Sequence, residues 1–425
     1  MAKIIILAEV KQRELLPSII LMRMLQEKGH IVKIVNFLSA PFINILLFKP
    51  DIIINNGMRS DFNFNRIIRI PKILFNVKIV TLYAEQVLSN SNMDSYYGNS
   101  KILHNTDLHV CWGPSFYEGI ITKLGYKTSC CIIGSYRLDV LKYLPSLSIR
   151  EEFSVKYNLN IDKRWILISA NLFRSKNEKN ERRAYLIDKS RVLFAEGIKN
   201  LAMNFPEIEF IYRLHPATPS DEAKIDYDFF ESLDNVHFIC DYPISYWLKS
   251  VVMMIIWQST SAVEGWVAKI PTVAFHPIEI EEQFLGWHMS CVTTDWNLKS
   301  LSSHVKAVVA NSFCEDELLL DKREEFLKNY YYRLDYMATL RLIEEIEKID
   351  SKPSTALQND YRFFWFLDFL KISRIEFLRL FKGILKKKSK NYIRRRDLKN
   401  MIKSKIFRIT YERMKNEKEL SNYRF

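Results

Sequence analysis

Arginine, histidine and hydroxyl side chains stand at the ends of two apolar runs, and these residue types could bind a phosphate group. Arg213 and His215 end one run, and the cluster Ser259, Thr260 and Ser261 follows another and opens a helical pattern. Each of these side chains can donate hydrogen bonds to an oxyanion, and the free amides at a helix start attract negative charge. The pattern predicts a binding site for an activated donor that carries phosphate.

Structural explanations of the same residues remain open. Arg213 could form a salt bridge, and His215 could belong to a structural His-Pro turn. One hydroxyl of the serine cluster could be an ordinary helix N-cap. His276, which precedes a second proline after another apolar run, is a weaker candidate of the same kind.

The elements that would position these side chains alternate between short β-branched strands and amphipathic helices. The predicted strands of the first half are Lys3–Ala8, Ile31–Asn36, Asp51–Ile54, Ile79–Tyr83, Leu108–Trp112 and Cys130–Gly134. Those of the second half are Trp165–Ala170, Ile208–Leu214, Val236–Cys240, Met253–Trp257 and Thr272–Phe275. This alternation indicates two parallel, doubly wound α/β sheets, which bind ligands beyond the carboxyl ends of their strands.

We therefore predict three regions. Residues 1–157 and 158–350 would form two Rossmann-like domains that face each other across a cleft, and residues 351–425 a helical extension. Two unrelated Rossmann-like domains would show the same periodicity. The six cysteines have no C-x-x-C pair, which suits a reduced cytosol. Ile4–Ala8 is too short for an export signal, and no uncharged apolar run could span a bilayer.

The basic excess of the chain lies in its extension. Residues 371–425 contain 19 Lys/Arg and 5 Asp/Glu, whereas the whole chain has a net charge of +13. Aromatic and aliphatic residues are interleaved with these cations from Tyr361 onward, as is typical of helices that lie on anionic membranes. The aromatic part could instead pack on the protein and the basic part be a solvated face. No nucleic-acid partner is expected, because no DNA- or RNA-binding motif is present.

Several motifs in order resemble the bacterial surface-carbohydrate biosynthesis glycosyltransferases of GT-B fold. The motifs are Glu9-x3-Arg13-Glu14-Leu15, Gly29-His30, Trp112-Gly113, Gly134-x-x-Arg137-x-Asp139, Asn171-Leu-Phe-Arg-Ser-Lys-Asn177, His215-Pro216 and Ser259-Thr-Ser-x-x-Glu264. The resemblance covers most of residues 1–280. It implies acceptor binding in the first domain and a nucleotide-sugar donor in the second, for which a CMP-linked sugar is one candidate.

The resemblance also implies roles for the first domain. Glu85 and Glu9 are the candidates for the base that takes the proton of the acceptor hydroxyl. Where related sialyltransferases and Kdo transferases often carry an acidic pair and a glycine, this sequence reads Tyr83-Ala-Glu85-Gln86, so one carboxylate remains. Glu85 could equally be a surface carboxylate, and Glu9 part of an ion-pair cluster.

Four more charged residues of the first domain are assigned to the cleft or to the acceptor. They are Arg13, Glu14, Arg137 and Asp139. Each could instead belong to a local ion pair.

On the donor side, His215 would hydrogen-bond the departing phosphate, and Glu264 would grip ribose or the donor sugar. Asn171 would hydrogen-bond the donor. A carboxylate in the first turn also favours the helix dipole, and an asparagine often begins a turn, so both have structural alternatives.

No metal or other cofactor is expected. Asp226-Tyr-Asp228 has the D-x-D spacing of metal-dependent transferases but lies in a polar segment rather than at a strand end. The sequence lacks zinc-ligand spacing, a P-loop and a Gly-x-Ser-x-Gly elbow, which argues against zinc enzymes, P-loop nucleotidases and serine hydrolases.

The prediction is a metal-independent glycosyltransferase, cytoplasmic and peripheral on the inner face of the membrane. Its substrates would be a nucleotide-sugar and a glycan or lipid-linked glycan of a bacterial surface polysaccharide. The alternatives are a CDP-polyol phosphotransferase of teichoic-acid type, a sugar-nucleotide epimerase, and a membrane-bound scaffold with a vestigial nucleotide cleft.

Overall fold

A computed structural model of the chain describes most of the 425 residues. The described residues are 1–38, 40–56, 60–83, 85–87, 100–125, 129–170, 172, 180–214, 218, 226–350, 365–385 and 395–422. They divide into two compact units. As far as they are described, residues 1–86, 92–140 and 328–415 form the first unit, and residues 87–91, 141–327 and 416–425 form the second.

The first unit is built on a six-stranded, all-parallel sheet in the order β2-β1-β3-β4-β5-β6. Its strands are β1 (Lys3–Ala8), β2 (Ile31–Asn36), β3 (Ile52–Asn55), β4 (Lys78–Thr81), β5 (Leu108–Cys111) and β6 (Cys130–Ile132). Side chains on both faces of β1 and β3 are buried, because helices cover the sheet on each side.

Helices connect these strands. They are α1 (Lys11–Glu27), α2 (Pro41–Phe48), α3 (Asp61–Phe64), a π-helical turn (Asn65–Arg69), α4 (Ile70–Phe75), α5 (Ser100–His104), α6 (Pro114–Leu124) and α7 (Tyr136–Tyr143). Gly134 begins the turn into α7 with a φ of +87°, a conformation that other residues adopt only with strain.

The second unit repeats the plan with a parallel sheet in the order β12-β11-β10-β7-β8-β9. Its strands are β7 (Arg164–Ala170), β8 (Ile208–Leu214), β9 (Val236–Phe238), β10 (Met253–Ile256), β11 (Thr272–Phe275) and β12 (Thr293–Asp295). Its helices are α8 (Ser146–Tyr157), α9 (Glu181–Asn204), α10 (Ile244–Leu248), α11 (Ser261–Val267), α12 (Leu298–Val309) and α13 (Glu317–Tyr331). Short 3₁₀ turns cover Glu282–Phe284 and Trp287–Cys291.

These two sheets confirm the prediction of two Rossmann-like α/β domains. The apolar runs predicted as strands form strands, with ends that shift by one or two residues. The strand β12 was not predicted, because Thr293-Thr-Asp295 has no apolar run.

The end of the chain belongs largely to the first unit. Helix α13 runs from the second unit into the first and is followed by α14 (Ala338–Asp350), α15 (Trp365–Leu385), α16 (Arg395–Lys403) and α17 (Lys405–Asn422). The predicted boundary at residues 350 and 351 therefore differs from the compact units, in which α14 and α15 share the first unit. The basic residues Lys386–Lys388 lie outside the described residues.

Buried polar contacts hold this C-terminal region on the first unit. Asp139 accepts hydrogen bonds from the Thr339 amide at 2.6 Å and the Thr339 hydroxyl at 2.7 Å, at the start of α14. In α15, Glu376 is fully buried and pairs with Arg66 at 3.2 Å. Breaking a buried pair by removing one partner leaves an uncompensated charge, so this pair ties α15 firmly to the sheet domain.

The opposite face of α15 is apolar and exposed. Phe369 and Ile372 pack toward Phe42 and Ile70 of the first unit. The side chains on the other side are exposed by about half or more: Phe366 56%, Leu367 65%, Leu370 50%, Phe377 57% and Leu378 49%. The cations Lys371 and Arg374 are exposed on the same helix. Among the helices that the structure describes, none has the length and apolar character needed to cross a bilayer.

Candidate functional site

The strand order of the second unit reverses between β7 and β10. From β7 the chain adds β8 and β9 on one side and β10, β11 and β12 on the other. The connections leave the carboxyl ends of β7 and β10 in opposite directions, which creates the crevice where open α/β sheets bind ligands. The residues that end these two strands are therefore the first candidates for a site.

Three serine hydroxyls meet at this point. Ser169 is the last residue but one of β7, and its Oγ lies 3.0 Å from Ser261 Oγ and 3.4 Å from Ser259 Oγ. Ser259 and Ser261, which follow β10, are 2.6 Å apart. Hydroxyl hydrogens rotate, so this serine cluster can turn donors toward an incoming oxyanion. The sequence prediction included Ser259 and Ser261 but missed Ser169, whose position at the end of the first strand was its only signal.

The neighbouring predicted residues occupy the start of α11. Thr260 is the residue before the helix, and its hydroxyl makes no capping bond to the helix amides. Glu264 is half-buried in the first turn. Gly265 lets α11 lie close to the sheet, because a side chain there would clash with Thr272 Oγ1 at 2.5 Å. Close packing thus fixes the helix start against β10 and β11.

Two buried histidines adjoin the same segment. His276, at the end of β11, lies with Nε2 2.6 Å from the Trp257 carbonyl oxygen, while its Nδ1 has no partner in the described chain. His288 is 1% exposed, and within the described residues its ring nitrogens have the Ser259 backbone nearby but no hydrogen bond of good geometry. The Nε1 of Trp257 is equally buried and unpaired there. Groups of this kind are costly unless a ligand or water satisfies them.

Burial keeps both histidines neutral. Desolvation lowers the pKa of His276 to about 4, against the opposing effect of the Trp257 carbonyl. It lowers the pKa of His288 to about 4 as well, although the Ser259 backbone nearby acts in the opposite direction. A neutral imidazole offers one donor and one acceptor. The segment 257–261 therefore carries the buried indole N–H of Trp257 and the hydroxyls of Ser259 and Ser261, and the neutral imidazole of His288 lies beside it.

These pKa values predict a dependence of stability on pH. An unfolded histidine has a pKa near 6.5, so between pH 6.5 and 4 the unfolded chain binds more protons and the free energy of unfolding falls as pH falls. For His288 the loss by pH 5 is about 2 kcal/mol. The free energy of unfolding, measured with urea, falls between pH 7 and pH 5, and His288→Phe should reduce this fall by about the same amount.

When the variant is compared with wild type, the contributions of other titrating groups to the pH dependence cancel. Asp139 acts with the opposite sign, because burial raises its pKa to about 6 despite three hydrogen bonds from Ala338 and Thr339. This contribution is common to both proteins and cancels. An identical pH difference in His288→Phe and wild type would contradict the assignment of a buried neutral imidazole.

The structure gives Arg213 contacts with backbone carbonyl oxygens, and its assignment to the donor phosphate stays a prediction. Its Nη1 donates to the carbonyl oxygens of Ile239 at 3.3 Å and Asp241 at 2.6 Å, and its Nη2 donates to that of Tyr242 at 2.8 Å. Burial lowers the pKa of this guanidinium to about 10. Arg213 therefore fastens the 239–242 loop to β8. The predicted ligands His215 and Asn171 lie outside the described residues.

In the first unit, Glu9, Arg13 and Glu14 come together after β1. Glu14 is buried, accepts a hydrogen bond from the Glu9 amide at 2.6 Å and pairs with Arg13 at 2.9 Å. Its carboxylate thus satisfies the backbone at the start of α1 rather than presenting a free group. Glu9 is half-buried at this carboxyl edge, next to the point where the strand order of the first sheet reverses.

Glu85 lies half-buried after β4, where its Oε1 accepts a hydrogen bond from the Gln86 amide at 3.1 Å. Gln86 is fully buried and connects two strand ends. It donates to the carbonyl oxygens of Leu82 and Val110, both at 3.0 Å, and accepts from the Trp112 amide at 2.7 Å. Sequence reasoning treated position 86 as a lost carboxylate, whereas the structure shows an amide that holds the sheet edge together.

The two remaining predicted residues, Arg137 and Asp139, make different contacts. Both carboxylate oxygens of Asp139 accept hydrogen bonds at the start of α14, so they are occupied. Arg137 lies in the first turn of α7 with its Cζ 4.5 Å from the Trp112 ring centroid. The structure also brings Arg13, Glu14 and Arg137 close enough to Tyr136 to influence it: burial and Glu14 raise its pKa, whereas the two arginines lower it.

The residues considered for a metal site do not assemble one. Asp226 forms a bidentate ion pair with Arg191, with N–O distances of 3.0 and 2.9 Å. Across the residues that the structure describes, no group of three His, Cys, Asp or Glu side chains could hold a metal ion.

No protein-family model matches the sequence, and no curated protein is similar to it by sequence. Solved structures do resemble it. The S. aureus MnaA–UDP co-structure superposes with a TM-score of 0.55 and 16% identity, over 84% of this chain and 100% of MnaA. The UDP-GlcNAc 2-epimerase from Neisseria meningitidis bound to UDP-GlcNAc gives a TM-score of 0.55 at 14% identity, over 81% of this chain and 100% of the epimerase.

The wall teichoic acid polymerase TagF gives a TM-score of 0.55 at 12% identity, over 82% of this chain and 88% of TagF. The chain has the GT-B fold. At these identities the likeness concerns the fold alone, and the predicted fold class is confirmed. Fold does not determine function, so the activity has to be argued from the site.

Proposed function

We propose that this GT-B protein transfers a sugar from a nucleotide-sugar to an acceptor of a bacterial surface polysaccharide. The observation that carries the proposal is the serine cluster Ser169, Ser259 and Ser261 at the β7–β10 reversal point, beside the buried neutral imidazole of His288. Preorganised donors of this kind stabilise the negative charge that a departing phosphate gains, and they act strongly where water is excluded.

The reaction requires few groups. The acceptor oxygen forms a bond to the anomeric carbon while the bond from that carbon to the phosphate oxygen breaks. The acceptor proton passes to a carboxylate of the first unit, Glu9 or Glu85, and the nucleotide leaves with the electron pair. His276 Nδ1 offers an acceptor for a ligand hydroxyl, and Trp296, half exposed 5.5 Å from the His276 ring, offers an aromatic face.

The structural neighbours support a nucleotide ligand, because one was solved with UDP and another with UDP-GlcNAc. They also keep two other reactions open. The first is epimerisation, since the neighbour from Neisseria meningitidis is named a UDP-GlcNAc 2-epimerase. An epimerase would convert the nucleotide-sugar without an acceptor. A teichoic-acid type phosphotransferase would use a CDP-polyol and leave phosphorus in its product, as TagF is named a wall teichoic acid polymerase.

A thermal-shift screen with CMP, UDP, GDP, dTDP and their sugar conjugates tests the proposal. A nucleotide that binds only the folded protein raises the melting temperature in proportion to the logarithm of its concentration once it exceeds the Kd. We expect one base to stand out and the serine-cluster variants to lose that response. Phosphorus in the product would favour the phosphotransferase, and donor turnover alone the epimerase. Nucleotide binding without turnover in wild type would favour the scaffold.

We further propose that the protein works peripherally on the cytoplasmic face of the membrane, with no metal or cofactor. The exposed apolar face of α15, with Lys371 and Arg374 beside it, suits insertion among anionic lipid headgroups. A lipid-linked glycan acceptor would be present at the same surface.

A further inference from the structure

The first unit contains a group of hydrogen-bond donors that the chain itself does not satisfy. They are Trp112 Nε1, Ser135 Oγ, and Nε and Nη1 of Arg137. All four atoms are shielded from solvent, and none has a hydrogen-bond partner within the described residues. Trp112 and Ser135 are 1% and 4% exposed. Because buried donors are almost always paired in folded proteins, a group of this size indicates a missing acceptor.

The local structure brings these donors to one edge of the sheet. Trp112 follows β5, and Ser135 and Arg137 follow β6, the strand that pairs with β5. Ser135 directly precedes the eight-residue helix α7, and Arg137 lies in its first turn. The guanidinium carbon of Arg137 is 4.5 Å from the Trp112 ring centroid. The helix start adds the positive end of its dipole.

The surrounding contacts make this arrangement rigid. The Trp112 ring stacks on Tyr331 at 5.4 Å, and its backbone amide donates to Gln86 at 2.7 Å. Gly113 passes so close to the backbone of Asn329 and Tyr330 that a side chain would lie within 2.4 Å of an oxygen. The donors are thus held in place by packing rather than by bonds to each other.

The neighbouring carboxylates have other partners, so the Arg137 guanidinium can bind an anion. Glu14 is a buried carboxylate that acts on the neighbouring Tyr136, and it pairs with Arg13 and caps α1. Asp139, in the next turn of α7, is occupied by Thr339 and Ala338. Tyr136 remains a neutral phenol, since burial raises its pKa. Among the residues that the structure describes, no carboxylate forms an ion pair with Arg137.

We propose that Trp112, Ser135 and Arg137 form a binding site for an oxyanion, a phosphate or carboxylate group carried by a substrate. The site is separate in sequence and unit from the serine cluster that we assign to the donor phosphate. Its assignment to the acceptor rests on the proposed function, and it makes that acceptor anionic. The guanidinium supplies charge and the indole and hydroxyl groups supply neutral hydrogen bonds, as in other oxyanion sites.

The test uses full-length protein and three probes: inorganic phosphate, glucuronate as a carboxylate, and glucose as a neutral control. Ser259→Ala/Ser261→Ala serves as the background, so that the donor site contributes little to the phosphate response. We expect phosphate or glucuronate, and not glucose, to raise the melting temperature, and the stronger of the two identifies the anion class. A wild-type protein that responds to neither anion at millimolar concentrations overturns the proposal.

Three substitutions separate a binding role from a structural one. Arg137→Gln, Trp112→Phe and Ser135→Ala should each raise at least tenfold the anion concentration needed for the same increase in melting temperature. Without anion, Ser135→Ala should melt at or above the wild-type temperature, because removing an unsatisfied donor costs little. Trp112→Phe also removes buried ring atoms that stack on Tyr331, so it should melt lower, and its anion response is the informative measurement. Arg408→Gln, at an exposed site on α17, is the charge-matched control and should respond like wild type.

The outcomes are distinct from those of the proposed function. Arg137→Gln should keep the nucleotide response, whereas the serine variant should lose it and keep the anion response. An anion response that survives in all three substitutions, together with a lower melting temperature of Ser135→Ala, would assign these residues to structure alone. With an anionic acceptor, Arg137→Gln should raise KM more than it lowers kcat, and Arg137→Lys should restore part of the difference.

Discussion

Alanine at both Ser259 and Ser261 is expected to lower kcat about 10²-fold, since removing one preorganised donor to a developing oxyanion typically costs this much. The two hydroxyls lie 2.6 Å apart and share Ser169 as a neighbour, so either alone can replace part of the other. The single variants should therefore lose less than the double variant. The measurement is kcat with the nucleotide-sugar identified in the thermal-shift screen.

The control for this prediction is Ser303→Ala. Ser303 is exposed on α12, and its hydroxyl donates only to the Lys299 carbonyl oxygen one turn earlier. The Ser303→Ala variant should have the same kcat as wild type. Near-wild-type turnover in the double variant, with normal folding by circular dichroism, would refute the donor-phosphate assignment and leave the reversal point without a catalytic role.

The sequence predicted the fold well for a physical reason. Strands buried on both faces read as short β-branched runs, and such runs recur here at nearly every observed strand from β1 to β11. The same periodicity cannot reveal contacts between distant segments. Ser169 and Ser259 are 90 residues apart in the chain, and only the pairing of β7 with β10 brings them together.

Individual side chains were harder to interpret for the same reason. Arg213 has the right residue type and position for a phosphate ligand, but the carbonyl oxygens of 239–242 fold over it after β9. His288 follows no strand in the sequence pattern and was missed, although the structure buries it beside Ser259. Residue type and spacing locate the edge of a sheet where ligands bind, while the choice among its side chains depends on loops that no local pattern describes.

The extension illustrates a third limit of prediction from sequence. A periodic apolar pattern does not distinguish a face that packs on the protein from one that remains exposed. In α15, the face with Phe369, Ile372 and Glu376 packs on the first unit, and the face with Phe366 and Phe377 is exposed. Deleting the helix would therefore uncover Arg66 and the apolar residues beneath it, so truncation would confuse membrane release with destabilisation.

Point substitutions on the exposed face avoid this difficulty. Phe366→Ser/Phe377→Ser is expected to weaken binding to anionic vesicles at least about tenfold, because burying a Phe side chain contributes roughly 1.5–3 kcal/mol and both rings are about half exposed. The free energy of unfolding should change little, since neither ring belongs to the buried cluster around Phe42. Vesicle co-sedimentation at low and moderate salt measures the effect.

A matched control shows whether the position or the apolar character matters. Leu147→Ser/Val155→Ser removes two side chains that are 70% and 87% exposed on α8 of the second unit, and it should not alter vesicle binding. If vesicle binding depends on apolar insertion by α15, the loss in the phenylalanine variant persists at moderate salt, where the attraction of basic residues is screened. Equal binding by wild type and the phenylalanine variant would leave charge as the only attachment to the membrane, and α15 would then be a helix whose exposed face has another partner.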